Sequence, residues 1–383
     1  MATPKKQKQK IKWLVPKGEA GSIDLPFLIM VLCLLTVGLV MLSSASYVSA
    51  LQRHGDSYYF IKRQLLFAMA GVALMLVIPY FNYQLLRRWA LRILIVAVVL
   101  LGLIWTPLGV EVNGARRWLN LGIQFQPSEI AKFAVIVILA SYMASNYKRM
   151  KEFKVGILLP GLVLVGVCAL VVAEPHVSGA ILIFAIGIVM MYVGGVNLGW
   201  FVGLGGIGGL GLLGAAFLIP HARARLNIWL HPEVDPTGDG FQTLQSLYAI
   251  GSGGFFGRGL GQSVQKHLYI PEPQNDYIFA IVCEELGFVG AIFVIVLFVA
   301  LVWRGVYISF HAKDKFASLL VMGIISRVAI QTFLNMAVVT NTLPPTGISL
   351  PFFSYGGTSL VILLVEMGIV LAVSRQSKQE ITA

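Results

Sequence analysis

The stretch LPFLIMVLCLLTVGLVMLSSA, residues 25–45, decides the fold. It carries no charge, and at about 1.5 Å per residue a helix of this length crosses the roughly 30 Å hydrocarbon core of a bilayer. The basic head before it (Lys5, Lys6, Lys8, Lys10, Lys12 and Lys17) superficially resembles that of a secretory signal. The apolar run exceeds the ~7–15 residues of a cleaved signal and more such runs follow, so it reads as an anchor that stays. Nine further runs lie near 60–80, 89–107, 128–146, 155–173, 178–194, 197–218, 277–304, 316–340 and 355–374. Of 383 residues, 57% are hydrophobic and 12% charged, against about 25% charged in soluble domains. The predicted fold class is an all-α polytopic membrane protein with ten transmembrane helices. A soluble multidomain enzyme is excluded, as is an outer-membrane barrel, whose strands would alternate over about 10 residues.

The net charge of +12 raises the question of nucleic acid, but the basic residues lie between the apolar runs. Orientation in a membrane explains them better. With the N-terminus cytoplasmic, 18 of the 29 Lys and Arg residues fall on inside segments and 7 outside, the asymmetry of the positive-inside rule. Both termini are therefore placed in the cytoplasm. The expected organisation is a basic tail (1–24), one membrane domain (25–374) and a short cytoplasmic tail (375–383). Exterior loops cover 108–127 and 219–276, the second joining the seventh and eighth helices. Loops of that length in a compact fold are usually functional or disordered, and this one, with Trp229, His231 and YIPEPQND, is too aromatic for a linker.

Several motifs have bland readings. Gly203, Gly205 and Gly208 spell a dinucleotide-type pattern without a preceding strand; helix packing, with Gly205 and Gly209 as a small-residue pair, explains them better. The glycine-rich 251–261 lacks the Lys-Ser/Thr of a phosphate loop and reads as a turn-forming or flexible segment, with phosphate contact the minority reading. Cys33, Cys168, Cys283 and the six histidines show no ligand spacing, so no metal site is assigned.

The charges inside the apolar runs are more informative. In QPSEIAK (126–132), Glu129 falls at the third helical position, where a carboxylate complements the helix dipole. Lys132 stands one turn deeper on the same face. Either the two pair, or Lys132 binds an anionic group in a water-filled cavity. Asp276 lies at the mouth of the eighth helix, suited to capping or to general-base work. Glu284 and Glu285 lie about 12 to 13 Å deeper and about 80° and 180° around from it, so the three do not share one small site. Arg327 and Glu366 each fall about 16 Å into antiparallel ninth and tenth helices. An unpaired charge at the midplane is costly, so these two are expected to form a structural ion pair, direct or bridged by Gln331.

Seven stretches then carry a resemblance: SSASY (43–47), KRQLLF (62–67), NGARRWLNLG (113–122), QPSEIAK (126–132), GFQTLQSLYAIGSGGFFGRGLGQS (240–263), PEPQNDYIFAIVCEELGFVG (271–290) and TGISLPFFSYGGTSL (346–360). Together they resemble the SEDS family (shape, elongation, division and sporulation) over nearly the whole chain, more the division and sporulation branch of the FtsW type than the RodA type. The resemblance implies a peptidoglycan glycosyltransferase that polymerises lipid II at the outer face of the bacterial cytoplasmic membrane, at the division septum or in sporulation. It also implies a class B penicillin-binding protein as transpeptidase partner, with other division proteins. The family's essential aspartate matches Asp276, its arginine before the exterior tryptophan matches Arg117, and its fourth-helix charges match Glu129 and Lys132. One departure stands out. Where many relatives read Q-P-D-L-G-T, this chain has EPHVSG (174–179), with His176 in place of the aspartate and Glu174 the nearest carboxylate.

The chemistry so implied needs a base for the acceptor 4-hydroxyl and cations at the pyrophosphate. Asp276 is assigned as base, Arg117 and Lys132 as pyrophosphate contacts, Glu129 as the group orienting Lys132, and Arg63 as a further substrate contact. No nucleotide cofactor is required because the donor is already activated; a divalent cation at the pyrophosphate is compatible with the same charges. Two alternatives stay open: a lipid II flippase, which calls for inverted repeats and broken helices that the sequence does not display, and a non-enzymatic division scaffold.

Overall fold

The computed structural model describes residues 13, 21–112, 115–120, 122, 124–174, 176–203, 229–234, 240–267 and 269–377. The first apolar run forms α1 (Leu25–His54), longer than the hydrophobic stretch alone. Asp24 caps it, its Oδ1 accepting from Phe27 N at 3.1 Å. Gly55, at φ 68°, ends it in the left-handed conformation that glycine adopts without strain. Then follow α2 (Tyr59–Val77), α3 (Gln84–Leu103), α4 (Pro127–Asn146), α5 (Leu159–Ala173) and α6 (Val177–Val193). The C-terminal half holds α7 (Phe241–Gly253), α8 (Ile278–Phe310), α9 (Lys315–Val339) and α10 (Gly357–Ser377).

Among the described residues, seven helices are long and apolar enough to cross a membrane: α1, α2, α4, α5, α8, α9 and α10, some with adjoining turns. The other three expected runs differ for identifiable reasons. The third, α3, carries Arg87, Arg88 and Arg92 in its first turns. The sixth, α6, has 17 residues and is apolar but short. Of the seventh, 197–203 is described, helical from 198; Gly205, Gly208 and Gly209 lie outside the described residues.

The segment 108–127, expected as an exterior loop, contains a small antiparallel sheet, β1 (Gly109–Val112), β2 (Ala115–Asn120) and β3 (Gln124–Phe125), in the order β1-β2-β3. The described parts of the long segment before α8 are also structured. Its helix α7 is tied to the end of α9 by Ser246 Oγ donating to Val339 O at 2.7 Å. Trp229 and Asn341 exchange side-chain-to-carbonyl bonds of 3.1 and 3.2 Å.

Polarity is distributed as a lipid solvent requires. Leu66, Met69, Leu162, Trp303 and Phe310 project outward, while Glu129, Lys132, Glu284, Glu285, Arg327 and Glu366 are buried. Helix α9 is the most buried of the candidate spans and packs on α4, α6, α8 and α10; α2 packs on α10 and α3 on α4. Four of these charges thus converge on α4, α9 and α10, while Glu284 and Glu285 lie on α8.

Candidate functional site

Asp276 ends a loop that is held at nearly every residue. Arg53 of α1 pairs with Glu272 at 2.7 Å, and Ser49 Oγ donates to Gln274 Oε1 at 3.1 Å. Tyr355 N donates to Gln274 O (2.9 Å) and Ser354 Oγ to Asn275 O (2.6 Å). Asn335 of α9 donates to the carbonyls of both Asp276 and Ile348, each at 2.7 Å. The main chain of Asp276 is therefore fixed to α9 and to the 346–356 segment. Its carboxylate is left without a hydrogen bond among the described residues. It caps nothing: the residue at the α8 cap is Tyr277, which makes no side-chain cap bond.

The Asp276 carboxylate abuts Gly347; a Cβ there would stand 3.2 Å from Oδ2. Gly347, at φ 68°, also lines a cavity of about 310 Å³, mouth included, whose walls hold Gln126, Glu129, Lys132, His176 and Gln331. Lys132 thus reaches the cavity while its ammonium binds Glu129 Oε1 at 2.5 Å. The pairing alternative is realised, and Lys132 also lines the cavity.

Glu129 does more than orient Lys132. Its other oxygen accepts from Arg327 Nη2 at 2.6 Å, and Arg327 Nη1 donates to Glu366 Oε1. Gln331, offered as a bridge, instead donates to Ser349 O at 2.9 Å. The two pairs considered separately from sequence form one line of four charges, Lys132–Glu129–Arg327–Glu366, with no net charge.

Arg117 reaches the neighbourhood by a device invisible in sequence. In the β1–β2 ladder Trp118 pairs with Val110 and Arg116 with Glu111, which leaves Arg117 as the extra residue of a bulge. A bulge re-aims the side chain it carries. The Arg117 charge acts on both Asp276 and His176, and its buried Nε has no partner among the described residues. Burial pushes the Asp276 carboxyl up to about 6; Glu272 adds to the rise and Arg117 opposes it.

His176, not Glu174, lines the cavity. The Gln126 amide nitrogen lies 3.3 Å from its Nε2. Burial first, then Lys132 and Arg117, lower the imidazole to about 4, so it is neutral at pH 7. Glu174 is buried with both oxygens unpartnered among the described residues, and burial raises it to about 8. It is a neutral acid at pH 7 and does not replace a charged aspartate. Arg63 does not line this cavity: its guanidinium stacks on Tyr59 at 4.4 Å, and its charge acts on Tyr355.

The glycine-rich segment 251–261 closes α7 and runs on in turns, in line with the turn-forming reading. Its main chain is bonded to the interior of α8, and the N–H groups that follow it are taken by Glu284 and Glu285.

Residues 25–379 match the FtsW/RodA/SpoVE family model, described as "Cell cycle protein". The chain is 44% identical over 360 residues to Stage V sporulation protein E of Bacillus subtilis (strain 168), covering 93% of this chain and 98% of that relative. It is 41% identical over 356 residues to a probable peptidoglycan glycosyltransferase FtsW of Trichlorobacter lovleyi, covering 92% and 93%. A chain solved in work on structural coordination of polymerization and crosslinking by a peptidoglycan synthase complex superposes with a TM-score of 0.77 at 29% identity, covering 94% of this chain and 99% of that one. The rod shape determining protein RodA of Thermus thermophilus gives 0.69 at 26% identity, covering 94% and 98%.

Proposed function

This chain belongs to the FtsW/RodA/SpoVE family of cell cycle proteins, and from that membership we propose that it is a peptidoglycan glycosyltransferase polymerising lipid II at the outer face of the bacterial cytoplasmic membrane. The observation that carries this reading is one carboxylate, Asp276, with no hydrogen bond among the described residues, against a cavity whose wall holds Lys132.

In the proposed reaction Asp276 takes the proton of the acceptor 4-hydroxyl as that oxygen attacks the anomeric carbon of the donor. The bond from that carbon to the pyrophosphate breaks, and the leaving group carries the electron pair as undecaprenyl pyrophosphate. Arg117 and Lys132 meet its charge, and such preorganised cations are worth most in a site that excludes water. Glu129, itself bonded to Arg327, holds Lys132 in place. Neutral His176 adds no negative charge to the cavity beside Lys132. Arg63 serves as an outer substrate contact.

The same proposal places ten spans over 25–374 as one membrane domain, both termini in the cytoplasm and the segments 108–127 and 219–276 outside. A class B penicillin-binding protein is the proposed partner; the support is the similarity to a chain of a complex that coordinates polymerization and crosslinking. Division septum or sporulation membrane is the proposed location, in keeping with the FtsW and sporulation relatives.

Transport of lipid II is the second reading, favoured by the discontinuity of α8 at Gly287. The main-chain groups freed there are bonded by the chain's own 254–259 segment and offer no substrate site. Incubating the purified chain and its partner with lipid II in detergent tests the proposal. Glycan strands support the polymerase; translocation in vesicles without strands overturns it.

A further inference from the structure

Helix α8 breaks at Gly287 (φ 67°, ψ −167°), within three turns of its start at Ile278. The 254–259 segment repairs the break. Arg258 N and Gly259 N donate to the carbonyls of Glu284 and Glu285, both at 3.0 Å, while Phe288 N and Val289 N donate to Gly254 O (2.9 Å) and Phe255 O (3.2 Å). The contact demands glycine: a Cβ on Gly257, itself at φ 81°, would strike Glu285 O and Gly287 N. The break separates a short stub, 278–286, from the lipid-facing remainder of α8. Asp276 stands at the head of that stub.

Both carboxylates at the foot of the stub are saturated. Glu284 accepts from Ser263 Oγ (2.5 Å), Val264 N (2.8 Å), Gln265 N (3.3 Å) and Arg258 Nη1 (3.3 Å). Glu285 accepts from Ser44 Oγ (2.6 Å), Lys266 Nζ (2.9 Å) and Ser263 N (3.2 Å). Lys266 also donates to Ser44 Oγ at 3.0 Å and Gly261 O at 2.6 Å. Helix α1 therefore grips the stub at both ends, through Ser44 at its foot and through Ser49 and Arg53 at the loop above Asp276.

We propose that the Ser44–Lys266–Glu285 cluster, with Glu284 beside it, is the positioning device that sets where Asp276 stands. The proposal rests on the reading of Asp276 as the base. Apolar side chains would bury the same stub without loss, since replacing a buried ion pair by a packed apolar one is often neutral or stabilising. What they lack is direction. Hydrogen-bonded carboxylates fix the rotation and height of a stub that the break has cut from the rest of its helix. The arrangement also gives SSASY (43–47), which the reaction itself does not use, a physical purpose: Ser44 joins α1 to the clamp.

The test uses the full chain with Lys266→Met and, as a milder change that leaves every charge in place, Ser44→Ala. Polymerisation is read as kcat and KM against pH, and amide exchange is read over 278–286 and over 290–310. Lys266→Met should lower kcat about 100-fold at unchanged KM, the cost of misplacing a reacting group by ~1 Å. Ser44→Ala should lower it about tenfold, the effect of one lost bond to a charged group. In both, exchange should rise over 278–286 and not over 290–310, and the acid limb should move. Lys266→Met with Glu285→Leu should recover yield while kcat stays low. Unchanged kcat and acid limb in both single variants, with or without faster exchange, would overturn the proposal. If Asp276→Asn is inactive in the same assay, that result refutes the clamp alone; an active Asp276→Asn refutes the base beneath it.

Discussion

Arg327 Nη2 lies 2.6 Å from Glu129 Oε2, so the guanidinium that pairs with Glu366 on α10 also reaches the carboxylate that holds Lys132 on α4. One buried line of alternating charge therefore runs from the helix core to the wall of the Asp276 cavity.

The charge count orders the stabilities of variants along that line. Glu366→Gln leaves Lys132, Glu129 and Arg327 with one uncompensated positive charge, and breaking half of a buried pair costs about 3–5 kcal/mol. Arg327→Met with Glu366→Ala removes a cation and an anion together and leaves the neutral Lys132–Glu129 pair. The double variant should unfold at a higher temperature in detergent than Glu366→Gln. The opposite order would show that the charges do not act as a unit.

Lys132 and Glu129 should separate function from stability. Glu129 keeps Arg327 when Lys132→Met is made, so that variant should express and fold. Its polymerisation should fall by roughly 10²–10³-fold, as on loss of one electrostatic contact to a developing charge. Glu129→Gln deprives two cations of one partner and should cost more thermal stability than Lys132→Met. Both are read from melting curves and initial rates.

The acid limb of activity should belong to Asp276. A base works only as the carboxylate, so with its pKa raised to about 6 the rate should fall about tenfold per unit as pH drops below that value. Glu272 raises it and Arg117 lowers it. Glu272→Gln should therefore shift the limb to lower pH and Arg117→Met to higher pH. Rates of kcat/KM across pH 4.5–8 check both signs; a limb that ignores Glu272 would remove Asp276 as its source.

Hydropathy made the helices legible because lipid imposes a length that composition must satisfy, as residues 25–45 illustrate. Depth arithmetic brought Arg327 and Glu366 to one level because antiparallel neighbours share a scale. The same arithmetic does not join Glu129 to them, since the third position of α4 lies near that helix's start while Arg327 lies about 16 Å into α9. Arg117's bulge depends on strand register, which no local pattern in 108–127 announces. The clamp was out of reach for another reason: Glu285 finds Lys266 nearby in the chain but Ser44 on another helix. The angles of about 80° and 180° said only that Glu284 and Glu285 turn away from Asp276, not what they turn toward.

Polymerisation of lipid II by purified Asp276→Asn, beside the unaltered chain, tests the central claim most directly. The Asp276 side chain caps no helix and accepts no hydrogen bond among the described residues, so asparagine removes the base with little else. The expected result is a folded membrane protein with an unaltered melting curve that makes no glycan strands. Strands formed at near-normal rate by Asp276→Asn would contradict the assignment of Asp276 as the base.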